Sequence, residues 1–364
     1  MKSVLFIIPS LTSGGAERQA VTIACLLKRR GYNVSFWCYG KGSFYQDILS
    51  QENIPVCFQE SNYLRRILYA VRYIKKGHYD AVVSFMDTPD LLNNIAAVFG
   101  KKWKVIGSQR SIMTERDFKT KRNRIMTWFY RFSDFIVCNS DRARISFAEN
   151  LPKYKTKLLT IYNTVSLAQS NFDYICRKNE RLNIVIAATV YNAKNPLGLL
   201  RALSNMNERE RASFHIDWYG RKEAMEGDHT EYDKAIEYTK ENGLSDVISF
   251  NPPSLNIAEI MYKSDCVALF SIFEGLPNAI CEGMLLGKPI IMTKVSDYQK
   301  LVENEVNGFL CDWNDSDSIR NAILRMSSKS KNELISMGGK SQKKAEALFG
   351  EESVISKWIE LIEK

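Results

Sequence analysis

The sequence predicts an α/β protein made of two Rossmann-like, doubly wound halves, each a parallel sheet covered on both faces. Three observations carry that expectation. Short apolar runs of strand type alternate with helical patterns of ordinary length, as βαβ units do. The alternation occurs twice, and between the two series, around Ser166 to Glu180, polarity rises and periodicity lapses. At 364 residues the chain also exceeds the size at which a single core stops growing. The expected division is residues 1–165 and 166–349, with a closing helix over 350–364 packing back on the first part.

The first series opens with the buried-type strand Val4 to Ile8. It leads into Pro9-Ser10-Leu11-Thr12-Ser13-Gly14-Gly15-Ala16-Glu17-Arg18 and an amphipathic helix that reaches about Arg30, where Gly31 stops it. The two glycines let backbone approach a ligand closely, and the helix start after them suits an anion. GxGxxG is absent, and so is the Gly-Lys-Ser/Thr of a Walker loop, so the turn carries neither fingerprint. Further strands are expected at Val34 to Cys38, Ile54 to Phe58, Ala81 to Phe85, Lys104 to Gly107 and Phe135 to Cys138.

The second series places strands at Asn183 to Ala188, Phe214 to Trp218, Val247 to Phe250, Cys266 to Phe270 and Pro289 to Met292, after which the pattern turns helical beyond Ser316. Within it, Ser271 to Thr293 reads SIFEGLPNAICEGMLLGKPIIMT. A strand, a loop holding Glu274, a helix holding Glu282 and another strand are expected. Pro277 suits a first helical turn and Asn278 a cap or first-turn position. A helix start suits a phosphate, and a nearby carboxylate suits sugar or ribose hydroxyls. An ordinary crossover with surface glutamates has the same outline.

Charge is uneven. Residues 1–165 hold 26 Lys and Arg against 12 Asp and Glu, whereas the remainder holds 24 against 29. A basic half fits nucleic acid, an anionic membrane or a phosphorylated substrate. No nucleic-acid-reading motif is present, so nucleic acid is not an expected partner. Two basic segments with aromatic residues, 63–76 (YLRRILYAVRYIKK) and 116–132, are expected either to lie on anionic lipid or to be ordinary amphipathic helices with a solvated face. The apolar runs are too short to span a bilayer and no signal peptide is evident. Eight scattered cysteines without a CxxC pair read as free thiols of a reducing cytoplasm. His78, His215 and His229 stand far apart, no metal site is expected, and Asp315-Ser316-Asp317 opens a helical pattern, where capping is the natural role.

The glycine turn and the two glutamates combine with other short pieces into an ordered set. These are Gly14-Gly15-Ala16-Glu17-Arg18, Asn139-Ser140, Ile161-Tyr162-Asn163, Lys194-Asn195-Pro196, Glu274 to Glu282 at Glu-x7-Glu spacing, and Asn307-Gly308-Phe309-Leu310. On this set, spread over nearly the whole chain, the sequence resembles the retaining glycosyltransferases of family 4. The resemblance implies a GT-B architecture, two Rossmann-like domains facing a central cleft, with acceptor in the first and nucleotide-sugar in the second.

What the resemblance implies can be carried over residue by residue. Glu282 accepts from ribose hydroxyls and Glu274 sits by the donor hexose. The backbone of Gly275, Leu276, Pro277 and Asn278 meets sugar and diphosphate. Lys194 offsets diphosphate charge, Gly15 lies near the distal phosphate, and Gly14, Arg18 and Asn163 fall to the acceptor side. Two departures stand out. Where many members carry Gly-Arg before the lysine, this chain has Ala188 and Thr189, and where many carry a histidine after Ser-Glu, it has Ser108-Gln109-Arg110. Arg110 cannot be a base but can stabilise anionic charge, so Arg110 in a catalytic role, or Arg221 beside the donor, is expected to replace the missing arginine. The expected activity is metal-independent transfer of a hexose or N-acetylhexosamine from a nucleoside-diphosphate sugar to a saccharide linked to polyprenyl diphosphate, without cofactor. It would take place at the inner face of the cytoplasmic membrane. A sugar-nucleotide epimerase and a catalytically silent subunit are the competing readings.

Overall fold

A computed structural model of the protein describes all residues except 13, 99, 111–117, 119, 165–180 and 224–226, and the backbone but not the side chain of Lys121. Two compact units result. The first joins Met1–Thr164 to Glu351–Lys364, and the second, in its described part, runs over residues 181–350.

The first unit is built on a seven-stranded sheet of β1 (Ser3–Ile8), β2 (Asn33–Cys38), β3 (Val56–Phe58), β4 (Ala81–Phe85), β5 (Lys104–Gln109), β6 (Phe135–Cys138) and β7 (Leu158–Thr160). Its order is β3-β2-β1-β4-β5-β6-β7 and every pair is parallel. Chain direction therefore reverses its walk between β1 and β4, the switch point at which doubly wound sheets bind ligands beyond their carboxyl ends. Strand β1 shows why the sheet needs helices on both faces, since it is apolar from Val4 to Ile8 and successive side chains point to opposite sides. Val4, Phe6 and Ile8 pack with the helix Gly15–Arg29 and the C-terminal helix, whereas Leu5 and Ile7 pack with Trp37 and with helices Tyr63–Lys76 and Asp87–Val98.

The C-terminal helix Glu351–Glu363 belongs to this first core. Trp358 is fully buried and stacks on Phe85 with centroids 6.2 Å apart, and Lys2 holds Glu363 at 2.6 Å. About 3–5 kcal/mol rides on a buried tryptophan of this kind.

The second unit carries a six-stranded parallel sheet of β8 (Leu182–Ala187), β9 (Phe214–Tyr219), β10 (Ile248–Asn251), β11 (Cys266–Leu269), β12 (Ile290–Thr293) and β13 (Gly308–Cys311), ordered β10-β9-β8-β11-β12-β13. Its switch point falls between β8 and β11. Close backbone packing shapes this sheet at particular glycines. A Cβ on Gly308 would stand 2.1 Å from the Ile290 carbonyl oxygen of the neighbouring strand, and one on Gly283 would stand 2.8 Å from Val267 Cβ. The first contact makes the Asn307-Gly308-Phe309-Leu310 piece structural, and the second lets the helix Asn278–Leu285 lie flat on β11.

Strands β7 and β13 are additions to the expected elements, and β5 runs two residues further than expected. Asp315 caps the helix Ser316–Ser327, accepting from the N–H groups of Asp317 and Ser318 at 2.9 and 3.0 Å, which settles its Asp-Ser-Asp triplet as a cap. Part of the basic segment 116–132 lies outside the described residues. Its described helix spans Lys121–Phe129.

Candidate active site

In the second domain the loops after β8 and β11 carry opposite charges that meet. After β8 the chain makes a short 3-10 turn, Asn192–Lys194, and passes through Asn195 at φ 60° before Pro196 starts the next helix. Asparagine tolerates that left-handed conformation, and proline is pre-set for the first helical position. The Asn195 side chain donates to the Trp313 carbonyl at 2.9 Å, which fixes the turn. Lys194 then forms a direct ion pair with Glu274, its side chain 17% and the carboxylate 10% exposed. Ser271 Oγ donates to the same carboxylate oxygen at 2.7 Å.

The two loops are tied together along the backbone as well. Ile272 N–H donates to the Ala193 carbonyl at 2.9 Å, and Thr293 Oγ1 donates to the Ser271 carbonyl at 2.6 Å. Ser296, itself at φ 55°, donates its hydroxyl to the Gly275 carbonyl. Glu274 and its loop are therefore held from several sides.

The helix Asn278–Leu285 begins directly after this loop. Pro277 stands at the cap itself, outside the first turn where it was expected, and Asn278 is the first helical residue without capping through its side chain. The reason is visible in the bonding: the Pro277 carbonyl already accepts from Ile280 and Cys281 at 3.0 and 3.1 Å, while its φ, ψ of −76°, 85° are not helical. Gly275 has open space where a Cβ would stand, and Leu276 is buried. Glu282 is half-buried on the second turn, steadied by the Gly283 contact with β11. At the end of β9, Arg221 is exposed and its carbonyl accepts from Val190 N–H at 2.9 Å, directly beside Thr189. A Cβ on the preceding Gly220 would collide with the Ala188 carbonyl at 1.8 Å.

In the first domain Gly14 caps the helix Gly15–Arg29 and its carbonyl accepts from Arg18 N–H at 3.0 Å. Gly15 has open space at its Cβ position and Arg18 is exposed. Arg110, just past β5, is half-buried, with its guanidinium 4.3 Å above the Phe85 ring and Nη1 donating to Asn163 Oδ1 at 2.9 Å. Asn139, just past β6, donates to the Arg110 carbonyl at 3.1 Å. The structure thus gathers Arg110, Asn139 and Asn163, three of the sequence pieces, at the carboxyl ends of β5, β6 and β7.

Two parts of this first-domain region were not expected from the sequence. Gln19 forms a two-point clamp on Thr164, donating to its carbonyl at 2.7 Å and accepting from its N–H at 2.9 Å. Asp90 lies fully buried, receiving Gln109 Nε2 at 2.6 Å and Ser108 N–H at 3.3 Å, in space that Gly107 leaves open. Burial pushes the Asp90 carboxyl up to about 8, and it pulls the Arg110 guanidinium down to about 9, which still leaves that group charged at neutral pH. In the sequence Asp90 is one of two aspartates in the helix Asp87–Val98, and nothing local marks it as the buried one.

Comparison with known proteins follows the same two-part division. The model described as Glycosyltransferase Family 4 matches residues 13–169, and that described as Glycosyl transferases group 1 matches residues 181–329. The chain is a GT-B glycosyltransferase. A glycosyltransferase of Haemophilus influenzae is 23% identical over 98% of this chain and 99% of its own length. A Campylobacter jejuni α-1,4-N-acetyl-D-galactosaminyltransferase, named for an acceptor on diphospho-undecaprenol, is 26% identical over 78% of this chain and 77% of its own. Among solved structures, Anabaena HepE in complex with UDP superposes with a TM-score of 0.83 at 20% identity over the whole of both chains. Among the described residues of this glycosyltransferase no group of His, Cys, Asp and Glu could hold a metal ion, and no helix is long and apolar enough to cross a membrane.

Proposed function

We propose that the enzyme transfers a hexose or N-acetylhexosamine from a nucleoside-diphosphate sugar to a saccharide carried on polyprenyl diphosphate, with retention at the anomeric carbon and without a metal. The observation that carries this reading is the Lys194–Glu274 ion pair set against the start of the helix Asn278–Leu285. A leaving nucleoside diphosphate gains negative charge, and helix N–H groups with a lysine stabilise it without rearranging. Lys194 is shared between Glu274 and the diphosphate, Glu274 holds hydroxyls of the donor sugar, Gly275 to Asn278 present backbone, and Glu282 accepts from the ribose. Gly15 faces the distal phosphate, and Arg221 adds charge beside Thr189. With Glu274 tied to Lys194 and Ser271, the acceptor hydroxyl attacks from the face that the diphosphate leaves, which retains configuration. Acceptor contacts fall to Gly14, Arg18 and Asn163.

Support for the lipid-linked acceptor comes from relatives. Besides the Campylobacter enzyme, an Escherichia coli α-1,3-galactosyltransferase named for GlcNAc-diphosphoundecaprenol is 41% identical over 71 residues, 20% of this chain and 18% of its own. Peripheral contact with an anionic membrane, at the inner face of the cytoplasmic membrane, fits two surfaces. On the helix Tyr63–Lys76, Leu64 and Leu68 are 75% and 62% exposed among Arg65, Arg72, Lys75 and Lys76. On Lys121–Phe129, Ile125 is 61% exposed and Trp128 lies under Arg131 at 3.8 Å. Apolar side chains beside cations suit the headgroup boundary of anionic lipid. Incubating the protein with a panel of nucleotide-sugars and a polyprenyl-diphosphate-linked sugar tests the activity: acceptor-dependent release of nucleoside diphosphate is expected, and its absence with every donor would refute the reading. Isomerisation of donor alone would indicate an epimerase.

A further inference from the structure

Arg110 is the least conventional feature of the first domain. Its Nη1 is satisfied by Asn163, and its carbonyl by Asn139. Its Nε and Nη2 atoms are buried and have no hydrogen-bond partner among the described residues. Those two N–H groups form one edge of the guanidinium plane, the edge that pairs side-on with two oxygens of a phosphate or carboxylate. The plane is held by Phe85 on its face and by Asn163 at its far nitrogen, so the fork has a set direction. Leaving two donors of a cation without acceptors in a dry site is costly, and positions that carry such a cost call for an explanation outside the protein's own bonding.

Three further orphans are found at the same strand ends. Ser108 Oγ, Asn139 Oδ1 and Thr164 Oγ1 are buried without partners among the described residues. Ser108 and Arg110 are two apart on one chain segment, so they share a side, and the pairing of Gln109 with Cys138 places Arg110 opposite Asn139. Gln19 anchors Thr164 by its backbone alone, which leaves the hydroxyl uncommitted. The nearby acid does not neutralise the arginine, because Asp90 is committed to Gln109 and Ser108 and burial keeps it largely protonated at pH 7. One anionic group and at least one hydroxyl donor would satisfy this set, the anion on the fork and the hydroxyl on the carbonyl oxygen of Asn139.

We infer that Arg110, Asn139, Thr164 and Ser108 form a glycosyl-phosphate site, in which the arginine fork grips a phosphate and the amide and hydroxyls take hydroxyls of the attached sugar. This rests on the proposed transfer and deepens it, because a glycosyl phosphate occurs both in the lipid-linked acceptor and in the donor. The departure from the expected histidine then has a purpose: the position exchanges a titrating ring for a permanent anion clamp.

The test separates the site from the reaction. Binding of α-D-glucose 1-phosphate, inorganic phosphate and neutral methyl glucoside is measured calorimetrically on the full chain, for wild type and for Arg110→Gln, Arg110→Lys and Thr164→Val, each checked for native circular dichroism. Glucose 1-phosphate should bind wild type, with affinity falling about 10- to 100-fold in Arg110→Gln, less in Arg110→Lys and a few-fold in Thr164→Val, as charge-assisted and neutral hydrogen bonds are lost. Inorganic phosphate should bind more weakly than glucose 1-phosphate, and methyl glucoside should be nearly unaffected by the arginine changes. Equal binding of glucose 1-phosphate by wild type and folded Arg110→Gln and Thr164→Val would overturn the site. Steady-state kinetics then identify the source. A raised KM for lipid-linked acceptor with donor KM unchanged assigns the fork to the acceptor, and the reverse assigns it to the donor. Glucose 1-phosphate binding that wild type shows and Arg110→Gln loses, in a protein that transfers no sugar, would leave the site standing and the transfer reading refuted, whereas no binding by wild type would overturn the site.

Discussion

The two domains share one wiring diagram and treat their half-buried cations in opposite ways. In the second, Lys194 has its counter-ion in Glu274, and a serine hydroxyl and two backbone ties hold the pair in place. In the first, among the described residues, Arg110 has an aromatic face and one amide oxygen but no carboxylate, and two of its three guanidinium nitrogens are unanswered. A paired cation can be lent to an arriving diphosphate while the fold stays intact. An unpaired one is stabilised only when a ligand supplies the acceptor. The difference suggests that the second domain is organised before substrate arrives, whereas the first completes its polar network with substrate.

The largest expected effect tests whether the domains are separate bodies in energy as well as in contact. Trp358→Ala empties a site in the first core and should cost that domain about 3–5 kcal/mol, while the second domain's calorimetric transition stays where it was. A shift of both transitions together would break the comparison. Next comes the ion pair. Lys194→Met and Glu274→Gln should each lower kcat/KM about 100- to 1,000-fold, and the double variant should be little worse than either, since groups acting as a unit are not additive. Fully additive losses would mean that the pair is incidental. Smaller is Glu282→Ala, expected to raise the donor KM about 10-fold with kcat nearly kept, as loss of a charged acceptor for ribose hydroxyls would do.

A separate expected effect is a pH dependence of stability in the first domain. The Asp90 carboxyl titrates at 3.8 when exposed and is raised to about 8 by burial, so the folded state keeps a proton that the unfolded chain releases. Stability contributed by this group is complete below pH 4 and is lost as pH rises toward 8. Asp90→Asn should flatten that decline, so its melting temperature should exceed wild type's at pH 8 by more than at pH 5. A constant difference across that range would show that the carboxyl is not the titrating group.

The doubly wound plan was legible because strand-type runs such as Val4 to Ile8 and Cys266 to Phe270 are apolar throughout, as only strands buried on both faces are. Edge strands β7 and β13 were not, since Leu158–Thr160 is too short to show a period and Gly308–Cys311 opens on a glycine. The spacing singled out Glu274 and Glu282 and the resemblance singled out Lys194, but the pairing of Lys194 with Glu274 could not be read, because residues 80 apart meet only when two loops lie at adjacent strand ends. Pro277 shows the limit at single-residue scale: proline was correctly placed near a helix start, yet its carbonyl geometry put it one position earlier. Asp90 and Gln19 were hidden for a different reason. Their roles depend on partners such as Ser108, Gln109 and Thr164 that no local pattern connects to them.

Sugar transfer from a donor held in the second domain is open to one direct measurement. A polyprenyl-diphosphate-linked N-acetylhexosamine is incubated with a panel of nucleotide-sugars and with wild type or Glu274→Gln, and the product's anomeric configuration is read by NMR. Wild type should give an extended saccharide with the donor's own anomeric configuration from one or more donors, and the variant about 100-fold less or none. An inverted linkage, or equal product from both proteins, would contradict it.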